Sequence, residues 1–358
     1  MPRYYPTDLL ATKTLDASGT EVVDIDAQDP ISMLELEYKN TPGSNTMADH
    51  LLSALSKIEL VEGSTPLFSI TGKALHALSY YDIGKVPNTH LSNAVGVQGF
   101  VSLQYHFGRW LWDPMLALDP KRHKNLQLKI THNRVTPDAS STAHTLRVAA
   151  HSFDEKKISP LGFLKTVELK TPTMGANGTY DYLQIPRKEV IRKLLIRAYD
   201  DAYQPHEVVN EIQIEENDKN KWLDMAVSSY LKYINTIYPR WYDEFYAVLT
   251  ATAVDVWCTP TFRVRCLGSG EAQDSSIDVE GQPLHQPFLL GGNQSVNFQV
   301  EVTGFQPHGI FPVLFGRQDD MDDWYDVTKL GSLQLRIKSG SAGTAGACVI
   351  MSQTVNRY

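Results

Sequence analysis

The sequence predicts an all-β chain built from two copies of one antiparallel sandwich, and two observations carry that prediction. Stretches with alternating apolar and polar residues outnumber helical ones, and no helix alternates regularly with a strand, which excludes a doubly wound parallel sheet. The second observation is a repeat. Phe107-Gly108-Arg109 followed by Leu126-Gln127-Leu128-Lys129-Ile130 returns as Phe315-Gly316-Arg317 followed by Leu333-Gln334-Leu335-Arg336-Ile337. From Phe to the first Leu is 19 positions in the first copy (126 minus 107) and 18 in the second (333 minus 315). A triplet and an alternating run at nearly equal spacing are the mark of a duplicated domain.

In the first copy, Leu34-Glu35-Leu36-Glu37-Tyr38 alternates as a half-buried strand, and Ile58-Glu59-Leu60-Val61-Glu62 is a strand closed by Gly63. A short helix is expected through Met47, Leu51 and Leu55, and an amphipathic one through Ala74, Leu75, Leu78 and Tyr81. Val95 to Tyr105 reads as a strand entering the Phe-Gly-Arg corner, and Leu146 to Ala149 as the last strand of the copy.

The second copy keeps this order. Ala176-Asn177-Gly178-Thr179 matches the turn chemistry at Ser18-Gly19-Thr20, and Ile185, Ile191, Leu194 and Ile196 follow Ile25, Ile31, Leu34 and Leu36 at a constant offset of 160. Ile212-Gln213-Ile214 stands where Ile58-Glu59-Leu60 stood, 154 positions on. A helix is expected on the stripe Trp222, Ala226, Tyr230 and Ile234, ending before Pro239, and Ala347 to Met351 takes the place of the strand at Leu146. The expected division is 1–160 and 161–358. Between helix and corner the second copy is longer by about 54 residues (77 minus 23), an insertion at about 239–314 with strand-like runs at Thr261 to Arg265 and Val296 to Val302. Such an insertion either carries contacts on the surface or widens a sheet.

Composition bounds the function. At 358 residues, 42% hydrophobic and 21% charged, the chain has enough apolar residues for two packed cores. A formal net charge of -8 argues against direct nucleic-acid binding, which rests on clustered Lys and Arg; the one basic run, Lys121-Arg122-His123-Lys124, is read as a solvated loop end, the alternative being a contact for an anionic partner. Cys258, Cys266 and Cys348 show no metal spacing and are expected as buried free thiols of a cytosolic product. No apolar run approaches the roughly 18 residues of a membrane span.

Catalytic and metal motifs are missing: there is no HExxH, no HxH, no P-loop and no GxSxG. No catalytic, cofactor or metal residue is therefore assigned. The acidic run Asp319-Asp320-Met321-Asp322-Asp323 lacks the positions of an EF-hand and is read as a solvated loop with ion pairs to Arg317 or a neighbouring subunit, the alternative being an oxygen-rich loop that holds Ca2+. Arg109 and Arg317 occupy one place in two copies, as expected of side chains that tie down a loop through several acceptors, with Asp113 and Asp319 or Asp320 as partners. Phe goes to the core and Gly makes the bend. The first corner continues into Trp110-Leu111-Trp112 and the second into acids, so the two corners are expected to face different neighbours, with Trp110, Trp112, Asp319, Asp320, Asp322 and Asp323 as subunit contacts.

The order Ile58 to Ser64, a helix from Gly72 to Tyr81, then Phe107-Gly108-Arg109-Trp110-Leu111-Trp112-Asp113-Pro114 and a strand at 126 resembles the major capsid proteins of tailless, membrane-containing icosahedral bacteriophages of the corticovirus, tectivirus and finnlakevirus type, related in fold to adenovirus hexon. The resemblance implies a double jelly roll, two tandem eight-stranded antiparallel sandwiches with short flanking helices, three chains forming a capsomer of six-sided outline. It implies a virion capsid location after synthesis in the host cytoplasm, and partners that are neighbouring capsomers, penton or minor membrane proteins and, peripherally, an internal viral membrane. It carries no catalytic residues. The insertion is the expected tower. The N-terminal Tyr4, Tyr5, Leu9 and Leu10 are either a lipid or neighbour contact, or a tail. The alternative function is a carbohydrate-binding jelly roll, receptor-binding or lectin-like, stacking sugars on Trp110, Trp112, Trp241 or Trp324.

Overall fold

The computed structural model describes residues 3–45, 47–154, 157–200, 203–218, 220–249, 254–255, 263–269, 288–289, 296–304 and 306–358. The first part of the chain contains β1 (Arg3–Thr14), β2 (Ser18–Asp24), β3 (Ile31–Thr41), β4 (Leu55–Glu62), β5 (Thr65–Ile70), α1 (Gly72–Ile83), β6 (Thr89–Asn93), β7 (Gly99–His106), β8 (Leu126–Asn133) and β9 (Ala143–Asp154). The second contains β10 (Gly162–Lys170), β11 (Tyr180–Gln184), β12 (Ile191–Tyr199), α2 (Pro205–Val208), β13 (Val209–Glu216), β14 (Asn220–Ala226), α3 (Val227–Ile237), β15 (Trp241–Leu249), β16 (Val254–Asp255), β17 (Arg263–Ser269), β18 (Phe288–Leu289), β19 (Val296–Gly304), β20 (Ile310–Leu314), β21 (Leu333–Ser339) and β22 (Ala347–Arg357).

The strand order gives the fold. In the first half β1-β9-β3-β7 faces β2-β8-β4-β5, and in the second β10-β22-β12-β20 and β11-β21-β13-β14 repeat the same two orders strand for strand. These are two eight-stranded jelly rolls. Their agreement reaches single hydrogen bonds. Ile25 N donates to Leu126 O and Ile185 N to Leu333 O, both at 2.9 Å; Ile31 N reaches Leu118 O at 2.7 Å and Ile191 N reaches Tyr325 O at 3.0 Å. The alternating runs of the repeat are β8 and β21, where Ile130 pairs with Ile58 and Ile337 with Ile212. Their Leu and Ile side chains point inward and are buried, while the Gln, Lys and Arg between them stay at the surface side.

The rolls are joined edge to edge. Ser69 of β5 pairs in parallel with Val167 of β10, and Leu91 to Asn93 of β6 pair in parallel with Phe245 to Ala247 of β15. Strands of the insertion, β15, β19 and β17, thus widen a sheet of the first roll. Of the rest of the insertion, β16 pairs with β18 and residues 306–314 lead into and form β20, while 250–253, 256–262, 270–287, 290–295 and 305, where most of the expected tower falls, lie outside the described residues. One hydrophobic cluster runs through both rolls.

Several elements differ from the sequence expectation. The stripe Trp222 to Ile234 is split: Trp222 and Ala226 lie in β14, and the helix starts at Val227. A spacing of four puts residues on one face of a strand as well as of a helix, so the stripe fits both. Helix α1 is present, capped by the Thr71 hydroxyl that accepts from Ala74 N at 3.2 Å and ended by Gly84 at φ 75°. It is not one-sided. Every residue from Gly72 to Tyr81 is buried, because the second roll covers the face that a lone domain would leave wet.

Around Met47 and Leu51 the chain makes only a 3-10 turn, Leu51–Ala54, and Leu55 already belongs to β4. Strand β7 starts at Gly99, since the turn at Gly96 (φ 74°) precedes it. Ser18-Gly19-Thr20 opens β2 and is not a turn. The N-terminal segment is no tail: β1 is a twelve-residue edge strand paired with β9, and Tyr4 packs on Trp112 at 4.7 Å between ring centres. Cys348 is a buried free thiol; Cys258 and the side chain of Cys266 lie outside the described residues.

Candidate functional site

The two corners are built alike at the backbone. Phe107 and Phe315 are buried, with Phe107 N donating to Ser32 O at 3.0 Å and Phe315 N to Arg192 O at 3.2 Å, positions again 160 apart. Each glycine is enforced by a close approach. A Cβ on Gly108 would stand 2.6 Å from Leu116 O, and one on Gly316, whose φ is 66°, would stand 2.2 Å from Asp323 O.

The arginines diverge. Arg109 holds Asp113 in a two-pronged pair, Nε to Oδ2 at 2.7 Å and Nη2 to Oδ1 at 3.0 Å, and the Asp113 side chain is fully buried. Asp113 also accepts from the backbone N–H groups of Arg109 and Met115. Arg317 pairs with Asp319 at 3.0 Å in the open. The two corners also meet within one chain: Arg109 Nη1 donates to the Asp319 carbonyl at 3.1 Å.

Around these corners Trp110 is exposed under the Arg109 guanidinium at 4.3 Å, and Trp112 is half-buried against Tyr4 and Phe153. Asp319, Asp322 and Asp323 are exposed, and Asp320 caps the 3-10 turn Met321–Asp323 through Asp322 N. Trp241 and Trp324 are buried, which removes them as sugar-stacking surfaces. In the basic run His123 bonds Glu62 at 2.9 Å and Arg122 stacks over Tyr358.

The seam between the rolls holds the buried charge that sequence reading missed. Asp82, near the end of α1, accepts from Arg192 Nη1 at 2.7 Å and Lys193 Nζ at 2.6 Å, both on β12, and all three side chains are almost fully buried. Gln353 joins through Arg192 at 3.0 Å. Burial pushes the Asp82 carboxyl up, but the charges of Lys193 and Arg192 outweigh it and hold the group below its usual range. Burial pushes the Lys193 ammonium down to about 8. The first-roll counterparts, 160 positions earlier, are Ser32 and Met33, so the charges belong to the joint rather than to the fold.

Deeper in the same seam lie His50, His76 and His308, with Trp241 edge-on to His76 at 4.9 Å. Beside them Tyr81 OH donates to Ile310 O at 2.7 Å. No spacing signal points to these three histidines.

The equivalent helix of the second roll is dressed differently. Helix α1 is buried from Gly72 to Tyr81, whereas Tyr233, Thr236 and Ile237 of α3 are exposed. Tyr233 and Ile237, with Trp222 and Met225, line an apolar groove that also holds Tyr230 and Leu314 and is edged by Arg317 and Asp323. No helix among the described residues is long and apolar enough to cross a membrane.

No protein family and no curated sequence matches the chain. Solved structures do. The major capsid protein of Sulfolobus turreted icosahedral virus superposes with a TM-score of 0.62 at 11% identity, covering 99% of this chain and 96% of that one. The major capsid protein P2 of bacteriophage PM2 gives 0.54 at 12% identity over 99% and 100%, and the PBCV-1 virus capsid gives 0.52 at 11% identity over 99% and 95%. At these identities the likeness is one of fold, and the chain has the double jelly-roll fold of viral major capsid proteins.

Proposed function

We propose that the chain is the major capsid protein of an icosahedral virus, with units at 1–160 and 161–358, and that three copies close into a pseudo-hexagonal capsomer. The observation that carries this reading is the mismatch between α1 and α3. Inside one chain α1 is buried from Gly72 to Tyr81, with Tyr80 and Tyr81 reaching Pro239 and Ile310 beyond the first roll, whereas the α3 side of the second roll, with Tyr233, Ile237, Trp222 and Met225, is uncovered. A second copy placed by the same relation would cover it with its first roll. Repeating that step three times presents six similar rolls and closes the ring.

Full-chain duplication of the fold and likeness across nearly the whole length of capsid proteins support the same reading. Trp110, Trp112, Asp319, Asp320, Asp322 and Asp323 are then contacts toward neighbouring capsomers, held in modest patches made effective by multivalency. The role is structural rather than enzymatic. Penton and minor membrane proteins, and peripherally an internal membrane, are further partners; location is the virion shell, after assembly in the host cytoplasm.

Native mass spectrometry tests it. The expected species is three times 40.1 kDa, seen in electron micrographs as a six-sided particle. A monomer that persists at micromolar concentration overturns the proposal.

A further inference from the structure

The seam holds one cluster that neither the corners nor the ion network uses. His50 precedes the 3-10 turn Leu51–Ala54, His76 lies on α1, and His308 precedes β20 in the second roll. All three are buried, and each offers one nitrogen such that the three nitrogens lie within 4.8 Å of one another. We propose that these imidazoles form a binding site for one zinc-class divalent cation that clamps the first jelly roll to the second.

The hydrogen bonds around the cluster fix where the ring protons sit. Thr89 Oγ1 donates to Pro87 O at 3.2 Å and therefore meets His76 Nε2, 3.3 Å away, as an acceptor. That places the proton of His76 on Nε2 and its lone pair on Nδ1, with Thr89 as the outer partner that orients a metal-bound imidazole. Nδ1 lies 2.9 Å from His308 Nε2. Without a cation, His308 Nε2–H donates across this gap, and its Nδ1 becomes a buried acceptor with no hydrogen-bond partner among the described residues. A cation replaces the shared proton. His308 then carries its proton on Nδ1, and two lone pairs face the metal at a separation near the roughly 3 Å expected of adjacent nitrogens bonded at about 2.0–2.1 Å.

His50 is the third ligand through Nε2. Its Nδ1 accepts from Leu52 N at 3.1 Å, so ligation moves the ring proton to Nδ1 and releases that cap. The three ligand nitrogens lie within 4.8 Å of one another, against about 3.3 Å between nitrogens bonded tetrahedrally at about 2.0–2.1 Å, so side-chain shifts of up to about 1.5 Å close the set and leave one position for water.

A further observation favours a ligand. His308 is held in the left-handed region at φ 53°, ψ 28°, a conformation uncommon for a residue with a side chain and retained mostly where it serves a site. The nearby Lys73 ammonium is countered by Asp49 at 2.6 Å, so the cluster adjoins a neutral pair. Imidazole sets of this kind select zinc, copper or nickel over calcium or magnesium. The clamp concerns a single chain and stands whether or not the chain forms capsomers.

The test uses the full chain, unfolded and refolded with one equivalent of Zn2+ and dialysed, with elemental analysis by plasma mass spectrometry and thermal melting. About one zinc per chain and a raised melting temperature are expected; His76→Gln and His308→Asn, the latter tolerant of the left-handed backbone, lose both. Zinc at background in the refolded wild-type chain, or stoichiometric zinc in both variants, overturns the site. Should the variants fail to fold, Co2+ in the wild-type chain decides: intense visible bands of four-coordinate cobalt uphold it, and the weak spectrum of hydrated cobalt overturns it.

Discussion

Arg109 Nη1 donates to the backbone carbonyl of Asp319 at 3.1 Å, so the first copy of the Phe-Gly-Arg corner rests on the second. Arg109 also neutralises Asp113, whose side chain has no access to water, while Arg317 makes a solvated pair with Asp319. The repeated residue therefore does unequal work. Arg109→Ala strands a buried carboxylate and is expected to cost about 3 kcal/mol or more, whereas Arg317→Ala gives up only a solvated pair and is expected to leave stability almost unchanged. Urea denaturation of the two variants checks this, and equal midpoints would refute it.

The seam offers a sharper contrast. One carboxylate, Asp82, is shared by two buried cations, so the site carries an excess positive charge. Asp82→Asn leaves both cations uncompensated and should destabilise by about 3–5 kcal/mol. Lys193→Met restores the residue type that the first roll carries at Met33 and removes the excess charge, so its stability should equal or exceed wild type. Thermal melting of the pair decides. A Lys193→Met chain as damaged as Asp82→Asn would show that the ammonium is needed for more than charge balance.

How far the sequence reaches is visible at these same positions. The offset of 160 that ties Ile31 to Ile191 also ties Ser32 to Arg192 and Met33 to Lys193; the apolar members reveal the copy, and the polar ones reveal where the copies had to differ. Fold and corner were legible because jelly-roll strands keep period-two patterns and glycine contacts are local. The seam was not. Asp82 and Arg192 are 110 positions apart, and His76 and His308 are 232 apart. No local spacing encodes a meeting of two domains. Helix α1 misled for the same reason: its polar His76 and Asp82 read as a wet face and instead point into the joint.

Acid should loosen the chain through His106, which ends β7 and is buried. Burial lowers its imidazole to about 4, with Asp82 pulling the other way. Above about pH 6.5 the ring is neutral in folded and unfolded chains alike, and its neighbours' packing is fully realised. As pH falls from about 6.5 toward 4 the unfolded chain takes up a proton that the folded one refuses, so stability is lost at up to about 1.4 kcal/mol per pH unit, roughly 2 kcal/mol by pH 5. His106→Leu should flatten that slope. Urea midpoints at pH 7.5 and 5 in wild type and variant measure it; an unchanged slope would exclude His106 as the source.

The uncovered face of α3 is where assembly and stability can be separated. Tyr233 and Ile237 are about half exposed, whereas α1 is buried from Gly72 to Tyr81 and sets Tyr80 and Tyr81 against Pro239 and Ile310 of the second half of the chain. A charge there adds little cost to an isolated chain, because the side chain already meets water. In a closed ring it would be buried without a partner, which is prohibitive at an apolar contact. Ile237→Lys combined with Tyr233→Asp is therefore expected to give a folded 40.1 kDa monomer that melts within a few degrees of the wild-type monomer. Light scattering reads the mass and calorimetry the melting. Retention of a trimer by this variant would move the subunit interface to another face, and collapse of the monomer would show that α3 is held by contacts inside its own roll that exposure does not reveal.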